Sequence, residues 1–199
     1  MKSQRSENFF PIVRYRTIGK KSHKGEQKEV GRFGSCTLFR MPKRARFRFH
    51  NLDGKPVSWL TQSISDTSPK YIAAPREDSI ISSKETLYGV HRCKYDTPII
   101  LVEGVFDALR VNTATSTFGY CVASMGTELT RPQVRQLAEY SRRIICFDNT
   151  PTAQNAAIAL GEQMSCFGGV SEIVCLDADD PGSATDTEIT RLLKYAGHL

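Results

Sequence analysis

The second half of the chain alternates short apolar runs with stretches of helical spacing. Ile99-Ile100-Leu101-Val102, Tyr120-Cys121-Val122-Ala123-Ser124, Arg143-Ile144-Ile145-Cys146-Phe147 and Ser171-Glu172-Ile173-Val174-Cys175-Leu176 predict strands, continuous enough in apolar residues to be covered on both faces. Between them, Val105 to Asn112, Arg131 to about Tyr140 and Pro151 to about Met164 predict helices, with Pro132 and Pro151 in their first turns. Strands of this kind alternating with helices imply an α/β unit with a mainly parallel sheet flanked by helices. Upstream the texture changes. Arg46-Phe47-Arg48-Phe49-His50 alternates, Asn51 to Pro56 is turn chemistry, and Val57-Ser58-Trp59-Leu60 returns, which predicts a β-hairpin. Ser68-Pro69-Lys70-Tyr71 and Ala74-Pro75 predict extended loop, and Ser83 to Val90 a short helix. The expected organisation is an N-terminal segment (1–35) of unread structure, a small mixed α+β subdomain (36–97) and the α/β domain (98–199). Within the first segment, Phe9 to Val13 is apolar and Gly19 to Gly25 reads as a flexible turn.

With 199 residues and 40% hydrophobic content the chain can bury a core. No apolar run approaches the roughly 20 residues of a membrane span, and no apolar segment of signal-peptide length follows the basic start Met1-Lys2. A cytoplasmic protein is expected. The cysteines Cys36, Cys93, Cys121, Cys146, Cys166 and Cys175 stand singly, mostly in strand-like runs, and the histidines are dispersed, so buried thiols are expected and zinc is not. The formal net charge is +6, with Arg40, Lys43, Arg44, Arg46 and Arg48 close together and acids collecting toward the C-terminus. That asymmetry sets a polyanion-attracting surface beside an acidic site. Tyr15, Tyr71, Tyr88 and Tyr95 are read as packing residues, Trp59 as core, and Arg142-Arg143 as a solvated helix end. His50 and His91 are assigned no catalytic role.

The acids carry the chemistry. Glu103, Asp148 and Asp177 each follow an apolar strand, and in a parallel sheet such strand ends share one edge, where ligands bind. Converging carboxylates repel unless protonated or shared with a cation, and hard oxygen donors suit Mg2+ or Mn2+. Gly104 and Gly126, also at strand ends, allow tight turns or close approach of a phosphate.

Leu101-Val102-Glu103-Gly104-Val105-Phe106-Asp107-Ala108-Leu109 resembles the first TOPRIM motif of bacterial-type primases, a Glu-Gly pair followed by Asp. Val122 to Thr127 is similar to the family's next strand and glycine turn, Cys146-Phe147-Asp148 to its second acidic motif, and Leu176-Asp177-Ala178-Asp179-Asp180-Pro181 to its last. Upstream, Arg46 and Arg48, Ser68-Pro69-Lys70-Tyr71 and Lys84-Glu85-Thr86-Leu87-Tyr88-Gly89 resemble the segment leading into the TOPRIM fold of the primase catalytic core, so that the likeness spans about residues 45 to 190.

The resemblance implies a TOPRIM-type α/β fold and metal-dependent synthesis of RNA primers from nucleoside triphosphates on a single-stranded DNA template. Glu103, Asp107 and Asp148 would be catalytic, and Glu103, Asp148, Asp177 and Asp179 would hold the metal. Lys70, Lys84, Arg46, Arg48, Gly104 and Gly126 would contact nucleotide or nucleic acid. A separate helicase and a zinc-binding template-recognition chain are implied partners, and the chain's size is compatible with a virus-encoded protein acting in its host's cytoplasm. One departure sets up an alternative. The family's second motif reads Asp-x-Asp followed by a glycine, whereas here Asp148-Asn149-Thr150 runs into Pro151-Thr152-Ala153. The missing carboxylate leaves open a degenerate TOPRIM module that binds nucleic acid or a replication partner without catalysis.

Overall fold

The computed structural model describes residues 12–17, 44–64, 68–114 and 119–199. Cys36, Arg40, Lys43, the Gly19 to Gly25 turn and the side chain of Tyr15 lie outside the described residues. Five parallel strands, β1 (Ile12–Thr17), β5 (Ile99–Val102), β6 (Cys121–Ala123), β7 (Arg142–Ile145) and β8 (Val170–Cys175), form one sheet in the order β1-β8-β7-β5-β6. The strands between β1 and β5, namely β2 (Arg44–His50), β3 (Pro56–Ser63) and β4 (Tyr71–Ala73), make a separate antiparallel sheet.

Strands β5 to β8 are buried on both sides because their apolar residues alternate between two helix layers. Ile100, Val102, Ile144, Cys146 and Val174 pack with Ala108 and Val111 of α1 (Val105–Asn112) and with Ile189, Leu192 and Leu193 of α4 (Asp186–Ala196). Ile99, Leu101, Ile145 and Ile173 face the other way, onto Val134 and Leu137 of α2 (Arg131–Ala138) and Ala153, Ala157 and Leu160 of α3 (Pro151–Met164). Burying a Val, Leu or Ile side chain contributes about 1.5–3 kcal/mol, so these two layers dominate the stability. Thr150 caps α3, its Oγ1 accepting the Ala153 N–H at 3.2 Å, with Pro151 in the first helical turn.

The small sheet is amphipathic. Ala45, Phe47 and Phe49 are buried while Arg48 is exposed. Ala45 and Phe47 sit on Val105 of α1, beside Leu109 and Met125, so the inner face of the hairpin roofs the C-terminal ends of β5 and β6.

Three readings change. Tyr71, expected as loop, instead begins β4, which pairs with β3 through Ile72↔Thr61 and Tyr71↔Gln62. The short helix expected over Ser83 to Val90 does not form. Leu87 donates its N–H to Gln136 Oε1 at 2.8 Å, Thr86 C=O accepts Gln133 Nε2, and Tyr88 exchanges backbone hydrogen bonds with Ala123. These tertiary partners outcompete a helix too short to stand alone. Arg142 and Arg143 begin β7 rather than ending a helix. Arg143 is 1% exposed with Nε donating to Ser171 Oγ, and Arg142 pairs with Glu172 Oε1 at 2.7 Å. Arg142 also donates to the Ala196 and Tyr195 carbonyls at the end of α4. Trp59 is half-buried, with the Arg46 guanidinium 4.3 Å over its ring. Cys121, Cys146 and Cys175 are buried and Cys166 is exposed. Among the described residues no helix is long and apolar enough to cross a membrane.

Candidate active site

Strand β5 leads through α1 to β6 on one side of the sheet, while its neighbour β7 leads through α3 to β8 on the other. Because α1 and α3 lie on opposite faces, the C-terminal ends of β5 and β7 part and open a crevice, the place where open α/β sheets bind ligands. Glu103 directly follows β5 and Asp148 lies just beyond β7. Glu103 Oε1 accepts the Asp148 backbone N–H at 3.0 Å, so the two loops are tied at the carboxylates themselves.

Asp107 is held from two sides. Its Oδ2 accepts the Gly104 N–H at 2.9 Å and its Oδ1 the Gly182 N–H at 3.1 Å. A Cβ on either glycine would stand 2.6 Å from an Asp107 oxygen, so a side chain at either position would displace this carboxylate. With each oxygen taken by a backbone donor, Asp107 joins α1 to the loop after β8.

Among the pocket acids, Asp148 is the most perturbed. Burial, then Glu103, Asp107 and Asp180, push its carboxyl up to about 7, and Lys70 offsets part of this. Its Oδ1 is buried without a hydrogen-bond partner. Glu103 is also raised, by burial and by Asp107, and Asp107 is raised by burial and by Asp180. Carboxylates that repel one another in a partly desolvated crevice are poised for a cation.

The acid supplied by the last motif is Asp180, which lines the pocket with Glu103, Asp107 and Asp148. Asp177 and Asp179 do not line it. The chain turns after Leu176, where the Asp177 and Ala178 N–H groups both donate to Glu188 Oε1, and Asp179 is exposed while its carbonyl accepts the Asn149 N–H at 2.7 Å. Strand-end position pointed to Asp177, but this turn takes up Asp177, Ala178 and Asp179 before a carboxylate faces inward at Asp180. The Asp180-Pro181-Gly182 turn was its sequence signal. Glu188 is the second residue the motif reading missed. Burial alone would raise its carboxyl, yet hydrogen bonds from Thr185, Ala178 and Asp177 hold it below the usual value. Thr185-x-x-Glu188 is a capping box legible in the sequence.

The pocket has a volume of about 1020 Å3, enough for a nucleotide-sized ligand. Lys70 and Lys84 both line it. Lys84 Nζ donates to the Met125 carbonyl at the turn after β6, beside Gly126, and Met125 holds a left-handed φ of 65°. Gly104 and Gly126 are in the lining as well. Arg46 and Arg48 are not. Strand alternation points them away from Phe47 and Phe49, onto the outer face of the small sheet. Thr150 is exposed and its hydroxyl serves the α3 cap.

Among the described residues no group of three or more His, Cys, Asp or Glu side chains is arranged to hold a metal ion. The donor set is nonetheless all-oxygen, with Asp148 Oδ1 buried and unpaired. That fits a magnesium-like ion held by one or two carboxylates together with substrate phosphates, and not a closed protein cage.

The family profile described as Toprim-like matches residues 100–168. DNA primase of Geobacillus stearothermophilus is 31% identical over 148 residues, covering 71% of this chain and 23% of that protein. The chain thus spans about a quarter of the length of this curated relative. Among solved structures, the Aquifex aeolicus primase comprising zinc-binding and RNA polymerase domains superposes with a TM-score of 0.64 at 26% identity, over 78% of this chain and 40% of that one. A DnaG primase catalytic domain bound to single-stranded DNA gives 0.62 at 20% identity, over 79% of this chain and 52% of that one, which speaks for the fold alone. A profile on the strands that carry Glu103 and Asp148, and primase relatives extending well beyond it, agree with the geometry: the chain is a TOPRIM primase-like protein.

Proposed function

We propose that this chain provides the catalytic core of a DNA primase, joining ribonucleotides on a single-stranded DNA template. The observation that carries the reading is the set of four carboxylates, Glu103, Asp107, Asp148 and Asp180, sharing one pocket with Lys70 and Lys84. An acidic cluster alone repels a nucleotide, and a basic pocket alone does not hold a cation. The combination suits a triphosphate that arrives with its metal.

In this reading Glu103 and Asp148 hold Mg2+ or Mn2+, with Asp180 adjacent and Asp107 keeping the β8 loop in register. A bound divalent ion would neutralise phosphate charge and favour ionisation of the attacking 3′-hydroxyl. Lys70 and Lys84 neutralise the phosphate oxygens. Gly104 and Gly126 leave room for a phosphate close to the backbone. The outward face with Arg46 and Arg48 would contact nucleic-acid phosphates away from the reacting atoms, which gives a salt-dependent affinity. Template recognition by a zinc-binding chain and coupling to a helicase are the partnerships such a core would use in the cytoplasm of its host.

Thr150 supports a second reading, a module that binds nucleic acid or a replication partner without catalysis. Its hydroxyl is used in a helix cap where the resembled motif carries a carboxylate. Templated dinucleotide synthesis with Mn2+ separates the two. Product from the wild type that is lost in Glu103→Gln supports the primase reading. Salt-sensitive binding of single-stranded DNA that persists in chelator, with no product from either protein, would establish the module.

A further inference from the structure

The acids and lysines occupy only part of the pocket. The remainder of its lining includes Phe106, Tyr71, Leu60, Leu109 and Met125. Phe106 is the informative one. It sits in the first turn of α1, between fully buried Val105 and the clamped Asp107, yet it is 40% exposed. A helix face that meets solvent ordinarily carries a polar residue at such a position.

The ring is nevertheless fixed. Phe106 meets Phe47 edge-to-face, with centroids 5.2 Å apart and planes at 89°. Phe47 is 4% exposed and braced in turn by Tyr88, at 6.1 Å and 85°. A perpendicular pair leaves at least one face of the outer ring uncovered, so Phe106 presents a rigid π surface to the pocket at little cost in side-chain entropy. Tyr71, 38% exposed, lines the same pocket and has the Lys70 ammonium 5.5 Å over its ring. An aromatic surface and a phosphate-binding lysine are therefore neighbours within one cavity.

We propose that Phe106 is the stacking platform for the nucleobase of the nucleoside triphosphate whose phosphates lie at Lys70, Lys84 and the acids. The inference rests on the nucleotide reading of this pocket. Phe106 has no hydrogen-bonding group, so it reads the area of the base and not its edge: purines bind more tightly than pyrimidines, and adenine and guanine alike. It is a specificity-determining residue, with no part in the bond-forming step.

The experiment uses the full chain with Mn2+ and three probes: ATP, inorganic tripolyphosphate, and the triphosphate of 2-aminopurine riboside, whose fluorescence falls on stacking. Phe106→Leu should weaken ATP about tenfold, leave tripolyphosphate affinity within about twofold, and abolish the fluorescence change. Phe106→Tyr should restore both. Equal loss for ATP and tripolyphosphate would mark Phe106 as structural, and no loss for either would remove it from the site; both overturn the proposal while the phosphate site stands. Stacking lost only for 2-aminopurine placed in single-stranded DNA would assign the platform to the template and overturn the proposal as stated. If the wild type binds neither ATP nor tripolyphosphate, the nucleotide reading itself falls, and this inference with it.

Discussion

Gly182 donates its N–H to Asp107 Oδ1 at 3.1 Å, joining two residues 75 positions apart in the chain. This bond holds the loop carrying Asp180 against the loop carrying Glu103. An alanine at 182 would place its Cβ 2.6 Å from Asp107 Oδ1 and 3.1 Å from Asp180 Oδ1. Both obstructing atoms end flexible side chains, so the carboxylates will move while the fold holds. Gly182→Ala is expected to weaken Mn2+ binding by about tenfold, the scale on which groups that orient metal ligands act. Calorimetric titration checks the affinity, and a melting temperature within a few degrees of wild type confirms that the loss is local.

Thr150 stands two residues after Asp148, and its hydroxyl caps α3 by accepting the Ala153 N–H. Thr150→Ala removes the cap and should cost about 1 kcal/mol, seen as a fall in melting temperature of roughly 2–4 °C for a chain of this size. Thr150→Asp keeps a good capping group and adds negative charge at the positive end of a helix. It should retain stability and bind Mn2+ more tightly than wild type. Unchanged affinity would show that the cation site ends at Asp148.

His91 gives a pH dependence with a definite sign. Its ring lies 4.2 Å from that of His50, and burial, then the His50 and Arg92 charges, depress its pKa to about 4. In the unfolded chain the group titrates near 6.5. Between those values the unfolded state binds more protons, so stability is lost as pH falls from 6.5 to 4. Asp148, raised to about 7, acts with the opposite sign over an overlapping range, so the informative quantity is the difference between variant and wild type. His91→Phe, which keeps a ring beside His50, should flatten the acid limb by about 1–2 kcal/mol after allowance for solvent screening. Denaturant unfolding at pH 4.5 and 7 measures it, and equal differences at both pH values would remove His91 from the acid response.

The sequence made the sheet legible because strands covered on both faces must be continuously apolar, and Ile99 to Val102 or Ile173 to Leu176 have few other uses. Helix α3 was equally clear, since Pro151 and the alanine-rich run leave little choice. What escaped depends on partners remote in sequence. Tyr71 to Ala73 is a strand only because β3 is beside it, and Ser83 to Val90 loses its helix to Gln133, Gln136 and Ala123. Ile12–Thr17, from the least legible stretch, pairs with β8 near the other end of the chain. In the site, the positions of Glu103 and Asp148 followed from strand ends, whereas Asp180 was hidden by a turn whose length the apolar pattern does not encode. Arg46 and Arg48 show the same limit. Alternation puts them on one face together, but only the packing of Phe47 on Val105 shows that the pocket lies on the other face.

Glu188 is the residue on which that turn depends. Its Oε1 accepts the N–H groups of Asp177 and Ala178, both at 3.1 Å, and its Oε2 accepts the N–H and hydroxyl of Thr185 at 3.0 and 2.8 Å. It is 8% exposed, so truncation leaves partly buried donors without partners. Glu188→Ala should destabilise the protein by about 2–3 kcal/mol. Glu188→Gln, which retains an acceptor oxygen but turns an amide donor toward other donors, should cost roughly half as much. Because Asp180 follows directly from this loop, the less disruptive Gln variant should also lose Mn2+ affinity, while Glu139→Gln, a change at the C-terminal end of α2, should not. Unfolding curves and Mn2+ titrations on the three variants test both parts. A Gln variant of lowered stability but wild-type Mn2+ affinity would show that Asp180 keeps its place through the Ser183 N–H, which its Oδ1 accepts at 2.6 Å, and the Gly182–Asp107 bond alone, and would separate the helix cap from the candidate metal site.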